Sequence, residues 1–232
     1  LAPNIRPSLE VEDLAAARLR LAEVIHEVRS ARISGFGEVR QWAGGYLTLT
    51  ADAFGRIIRH LSRTYDPAKG VMGVDLGASH TTVAAAFEGD LRLCVRTDLG
   101  LGSSLPGLLR HAGLDAVARW LPVDISETRL RDYIFNKALN PGTVPTEKDD
   151  LHVEFALARQ LLQAALGLAR PGWPEGRALT RGTLLPPMEP IIASGGVLSR
   201  SPRPGYAALA LLDALQPVGI TTLILDPHNL AP

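Results

Sequence analysis

Asp75 stands at the end of the apolar run Val71-Met72-Gly73-Val74, and Leu76-Gly77-Ala78-Ser79-His80-Thr81-Thr82-Val83 follows it. A strand therefore carries a carboxylate into a glycine turn, and a second strand leaves it. That pattern suits phosphate and a divalent cation. Gly77 lets the backbone approach an anion, Ser79, His80 and Thr81 add side-chain donors, and Asp75 can orient the water shell of a magnesium ion. The same residues also suit a plain hairpin whose polar side chains cap the turn. The segment alone leaves both readings open.

Far downstream, Pro190-Ile191-Ile192-Ala193 runs into Ser194-Gly195-Gly196 and then Val197-Leu198. A strand, a glycine pair and a helix start bring unpaired backbone N–H groups and the helix dipole to one point, where both favour a nucleotide phosphate. A Gly-Gly pair also serves simply to turn a strand into a helix.

Other residues with chemical potential carry less. The six histidines show neither the H-x-x-x-H spacing nor the companion cysteines of a zinc site, and His80 stands out only by its place in the first turn. Asp149-Asp150 opens a helix, where negative charge complements the dipole. Ser103 and Ser104 read as helix caps. Cys94 lies in a strand-like alternation with no activating neighbour in sequence. Neither a G-x-S-x-G elbow nor a P-loop lysine pattern occurs, which removes serine-hydrolase and P-loop NTPase chemistry.

The elements that must position these turns are legible from periodicity. An amphipathic helix is expected over 12–32, with Leu14, Ala17, Leu21, Val24, Ile25 and Val28 on a stripe that needs a partner. A loop follows Gly35 and Gly37, and then a helix led by Thr50 with Phe54, Ile57, Ile58 and Leu61 facing inward. Strands are expected at 71–75, 82–87 and 91–97, the last two joined by the turn Glu88-Gly89-Asp90. Helices follow near 103–121, 126–139 and 147–168, with Ser126 and Thr146 as N-caps and Thr146 with Asp149 as a capping box. The last helix carries Leu151, Phe155, Ala158, Leu162 and Ala165 at core spacing. Residues 170–190, rich in proline and glycine, read as an irregular loop anchored by Trp173. A strand at 190–194, a helix at 204–215 and a strand at 220–225 close the chain.

With 232 residues and 46% hydrophobic content, the chain can bury a full core. A formal net charge of +0 gives no general attraction to nucleic acid or to an anionic membrane, so neither is expected as a partner. Only Lys69, Lys137 and Lys148 are lysines among 24 basic residues, an arginine bias that fits a GC-rich genome. No apolar run approaches the ~20 residues that cross a bilayer. The lone cysteine fits a reducing cytoplasm.

The two turns and the words around them resemble the MutL proteins associated with glutamate mutase, which are unrelated to the mismatch-repair proteins of the same name. Asp75-Leu76-Gly77 stands where the actin-like ATPase superfamily carries its second phosphate motif, Asp-x-Gly-Gly-x-Thr, and Ser194 to Leu198 stands where it carries its adenosine motif. Asp98-Leu99-Gly100-Leu101-Gly102-Ser103-Ser104 and the stretch from Asp213 to Leu223 also read like this family, and the resemblance spans roughly residues 36 to 230. It implies an α/β fold of actin-like ATPase (ribonuclease H-like) type, a mixed sheet flanked by helices. Residues 1–66 would form a helical segment packed on a nucleotide-binding subdomain at 67–232.

The implied ligands are ATP and magnesium. Asp75 would hold magnesium through water. Gly77, Ala78, Ser79, His80 and Thr81 would wrap phosphate, and Ser194, Gly195 and Gly196 would approach the ribose and α-phosphate. The implied partner is an adenosylcobalamin-dependent mutase subunit, served by an assembly or reactivation factor. Three positions depart from the superfamily pattern: Ala78 replaces a glycine, His80 a threonine and Thr82 an acidic residue. These departures put ATP turnover in question and keep a non-catalytic scaffold open beside a small-molecule kinase of the same superfamily. No first phosphate motif precedes residue 70 and the chain opens on Leu1, so the resemblance implies the C-terminal half of a longer protein.

Overall fold

The computed structural model describes residues 4–6, 8, 15–32, 34–174, 184–228 and 230–231. The chain divides into two compact units, Leu1–Leu49 and Thr50–Pro232. The first holds helices α1 (Ala15–Arg32) and α2 (Phe36–Trp42). Leu21, Val24 and Val28 of the expected stripe are exposed, whereas Ala17 and Ile25 are half-buried. The expected start of α1 at residue 12 lies outside the described residues. The loop expected after Gly37 is instead α2. Gly35, with φ of 80°, caps it from the left-handed region that glycine enters without strain.

The second unit is built on a five-stranded mixed sheet in the order β3-β2-β1-β4-β5. Strands β1 (Gly70–Leu76), β2 (Thr81–Phe87) and β3 (Asp90–Arg96) form an antiparallel meander, and β4 (Met188–Ser194) and β5 (Leu223–Leu225) add in parallel on the other side of β1. The strand pattern splits the core between two faces. Val71, Ala84, Ala86 and Ile192 pack with Phe54 and Ile58 of α3 (Thr50–Thr64). Met72, Val74, Leu76, Val83, Ala85 and Ala193 join a larger core on the opposite face. Burying each large side chain of this kind is worth about 1.5–3 kcal/mol, so both layers are firmly held. Helix α3 thus belongs with the sheet, although the sequence boundary after residue 66 grouped it with the N-terminal segment.

The single helix expected near 103–121 breaks at Ala112 into α4 (Leu105–His111) and α5 (Gly113–Ala118). Helix α6 (Glu127–Leu139) is capped by Ser126, whose hydroxyl accepts from the Arg129 N–H at 3.3 Å. Helix α7 (Lys148–Ala169) has Glu147 as its N-cap with no side-chain cap bond, so the expected Thr146 and Asp149 box does not form. Within the loop that follows, residues 175–183 lie outside the described residues. Trp173 is buried and meets Phe87 edge-on at 5.8 Å, the anchoring role expected of it. The short helix α8 (Gly196–Ser199) follows β4, and α9 (Pro204–Leu215) packs beside α7.

Candidate functional site

The first turn, residues 77–80, is fixed by a neighbouring loop. The Gly77 N–H donates to the His80 carbonyl at 3.0 Å, and the Leu101 N–H donates to the Gly77 carbonyl at 2.9 Å. The Thr81 hydroxyl, fully buried, donates to the Leu99 carbonyl at 2.9 Å, and the Ser104 hydroxyl donates to the Ser79 carbonyl at 3.2 Å. A Cβ at Gly100 or at Gly102 would lie 2.7 Å from the Ala78 carbonyl oxygen, a distance that real Cβ atoms do not adopt. The Gly100-Leu101-Gly102 pattern is therefore the seat of the turn. Ser104 stands at the N-cap of α4 but spends its hydroxyl on this seat, not on the cap expected of it. Among the described residues, the amides of Ala78 and Ser79 donate to no protein acceptor, which leaves two N–H groups for an anion.

The second turn lies against the first. Asp75 of β1 is paired in register with Ser194 of β4. Gly195 has φ of +97°, and a Cβ there would lie 2.1 Å from the Leu76 carbonyl oxygen. Two segments separated by more than a hundred residues thus meet at the carboxyl ends of two adjacent parallel strands. That is the place where open α/β sheets take their ligands. Gly196 differs from its neighbour, since a Cβ there would meet nothing within 4 Å.

A cavity of about 630 Å³ opens beside both turns. Gly77, Ala78 and Leu101 form one wall, Gly196, Val197 and Arg200 to Pro202 another, and the loop Pro141 to Glu147 with α7 a third. Gly77, Ala78 and Gly196 therefore line it, whereas Asp75, Ser79, His80, Thr81, Ser194 and Gly195 do not. For the strand residues Asp75 and Ser194, the pleat explains this. Leu76 points into the core on the α7 face, so Asp75 and its cross-strand partners Thr82 and Ser194 fall on the α3 face.

This polar row has its own electrostatics. Burial pushes the Asp75 carboxyl above the ordinary aspartate range, His80 opposes that shift, and Asp226 reinforces it. Asp226 follows β5 and accepts from the backbone N–H groups of Ala231 at 2.8 Å and His228 at 3.3 Å. Burial alone would raise its pKa, but these backbone donors hold it below the ordinary value. Thr82 is fully buried and its hydroxyl has no hydrogen-bond partner among the described residues. An orphaned hydroxyl of this kind costs about 1–3 kcal/mol until a water, an ion or a ligand meets it. A carboxylate without a protein hydrogen bond among the described residues, beside an orphaned hydroxyl, fits a hydrated cation.

The family described as MutL protein matches residues 1–231. The chain belongs to that family. It is the MutL associated with glutamate mutase, not the DNA mismatch-repair MutL. No curated protein matches the chain. In this MutL chain, no described helix is long and apolar enough to cross a membrane. No group of three or more metal-ligating side chains occurs among the described residues. Burial pushes the Cys94 thiol above its ordinary pKa, which makes it a poor nucleophile.

Sequence reasoning passed over one feature of the cavity. Lys137 of α6 and Glu154 of α7 both line it, and their side chains are 6% and 7% exposed. Lys137 Nζ lies 2.5 Å from Glu154 Oε1 and also donates to the Thr143 carbonyl, while the Tyr133 hydroxyl donates to the same Oε1 at 3.1 Å. The signal was present in the sequence. Glu154 falls on the apolar stripe of Leu151, Phe155 and Ala158, and Lys137 falls on the stripe of Leu130 and Ile134. A charge at such a position asks for a partner.

Proposed function

We propose that this MutL chain binds a nucleotide as an assembly or reactivation factor for an adenosylcobalamin-dependent mutase, with an actin-like ATPase domain as its nucleotide-binding unit. The observation that carries the reading is the contact of the two glycine turns, in which Gly195 abuts the Leu76 backbone beside a cavity of about 630 Å³. A volume of this size is within the range of small-molecule sites, about 300–1,000 Å³. The antiparallel meander that carries the first turn supports the fold assignment.

In this reading the base and ribose occupy the cavity on the α7 face. The phosphates cross the strand ends over the amides of Ala78, Ser79 and Gly196, with Ser194 and Gly195 setting the second turn. Asp75 then meets the phosphate end from the α3 face and orients water around magnesium, and His80 lies near enough to balance its charge. Magnesium, when bound, would neutralise phosphate charge there. The protein's part is to fix Asp75 by register, to keep the turn amides unpaired, and to exclude water from the cavity wall. Nucleotide occupancy would then be coupled to the mutase subunit through closure around the ligand.

One observation favours a second reading, a scaffold without nucleotide: the Ala78 methyl fills space against Gly102 that a second glycine would leave open. Calorimetric titration with Mg·ATP separates the two. Micromolar binding that is weakened in Asp75→Ala and abolished in Gly196→Val supports the nucleotide site. Absence of binding together with tight capture of a mutase subunit establishes the scaffold. Equal affinity in all three proteins removes the site assignment.

A further inference from the structure

Lys137 and Glu154 form a charged pair buried in the wall of the cavity. Desolvating two charges costs several kcal/mol per ion, and apolar residues of similar volume commonly serve stability as well or better. The pair is therefore not explained by packing. Its hydrogen bonds are also unevenly shared. Lys137 and Tyr133 both contact Oε1 of Glu154, and Lys137 spends a further donor on the Thr143 carbonyl, in the loop that forms the third wall. Oε2 of Glu154 has no protein partner among the described residues and is not fully sealed from the cavity side. The carboxylate is thus held by one oxygen, and the other remains for a ligand in a residue that lines the cavity. An ionised carboxylate accepts hydrogen bonds and donates none.

We propose that Glu154 is the specificity-determining acceptor of this cavity, reading an O–H or N–H donor of the bound ligand through Oε2, with Lys137 and Tyr133 as its positioning residues. The inference rests on the nucleotide reading and adds to it the feature by which a ligand is chosen. In a nucleotide two kinds of donor fit this chemistry, a sugar hydroxyl and the exocyclic amine of the base. A site built around a ligand donor rejects an analogue that lacks it, because the buried acceptor is then left unpaired.

The test compares Mg·ATP, Mg·2′-deoxyATP, Mg·3′-deoxyATP and Mg·ITP by calorimetry on the 232-residue chain and on E154Q. The expected result is that one analogue binds the unmodified protein at least about ten-fold more weakly than ATP, as loss of a hydrogen bond to a charged group implies. A deoxy analogue identifies the sugar as the donor, and ITP identifies the amine. E154Q should bind ATP and that same analogue within about two-fold of each other. Because E154Q leaves Lys137 buried beside a neutral amide, K137M/E154Q, which removes both charges together, supplies the same comparison in a protein with no stranded charge. Failure of the folded, unmodified chain to bind ATP overturns the nucleotide reading and this inference with it. ATP binding with all three analogues within about three-fold, or discrimination unchanged in both variants, overturns this inference alone.

Discussion

The two faces of the sheet treat the same pair of turns differently. On the α7 face the strand ends open into a cavity with a charged pair in its wall. On the α3 face they end in a polar row, Thr82, Asp75 and Ser194, with Asp226 near enough to act on Asp75. One face offers space and the other offers charge. A motif that is contiguous in sequence is thus divided between two layers by the pleat, and Asp75 and Leu76 part company although they are neighbours. A ligand that uses both must lie across the strand ends, over the glycines.

The largest effect should come from the contact that joins the two faces. Gly195→Ala places a Cβ against the Leu76 carbonyl and keeps a positive φ, so we expect a loss of about 3 kcal/mol or more, read as a collapse of the chemical denaturation midpoint. Gly196→Val should leave that midpoint nearly unchanged, because the space around Gly196 is open. Its expected cost is instead in Mg·ATP affinity, on the order of 100-fold, since the valine projects where the ligand would lie. Equal destabilisation by both substitutions would erase the distinction between a structural and a ligand-facing glycine.

This contrast marks how far the sequence carried. The strands, most helices and both turns could be read from alternation and glycine placement, because those signals are local. The meeting of the turns could not, since it depends on the parallel pairing of Asp75 with Ser194 across more than a hundred residues. Helix α2 was hidden behind Gly35 and Gly37, which punctuate a loop in sequence but cap and open a helix here. Glu154 and Lys137 each stand on an otherwise apolar stripe, so the core spacing around them masks the charge.

Thr82→Val tests the α3 face by a double signature. Removing an orphaned buried hydroxyl and keeping the shape should stabilise the free protein by about 1 kcal/mol, seen as a raised denaturation midpoint. If the hydroxyl serves a hydrated cation, the same variant should lose several-fold in affinity for Mg·ATP while binding ATP in EDTA unchanged. A variant that gains stability and keeps its magnesium dependence would make Thr82 a bystander.

Asp98 tests the seat of the first turn. Its carboxylate accepts two hydrogen bonds from Arg96, at 2.9 and 2.7 Å, and lies 3.2 Å from His111, and these contacts hold its pKa well below the ordinary range, with the Arg96 bonds as the main cause. A lowered pKa contributes stability that is present above the unfolded value, about 3.9, and is lost as the pH falls toward the folded value. Asp98→Asn should therefore cost about 1 kcal/mol at neutral pH, a modest figure because the partly exposed pair is screened, with the gap to the unmodified protein closing below about pH 4.

The smallest effect belongs to Asp75, and its pH dependence is opposite in sign to that of Asp98. Its pKa is raised, chiefly by burial, so the folded state holds the proton to higher pH than the unfolded chain does. Stability is then lost as the pH rises from the ordinary aspartate range through the folded pKa, and the penalty is complete above it. Asp75→Asn should accordingly be slightly more stable than the unmodified protein at neutral pH and equal to it under acid. Magnesium distinguishes a merely buried acid from a cation-orienting one. If the ion is held near Asp75, adding it at neutral pH should raise the unmodified protein's midpoint toward that of Asp75→Asn and leave the variant unmoved. An equal response from both proteins would place the cation elsewhere, and the polar row would then be a cost that the fold carries without return.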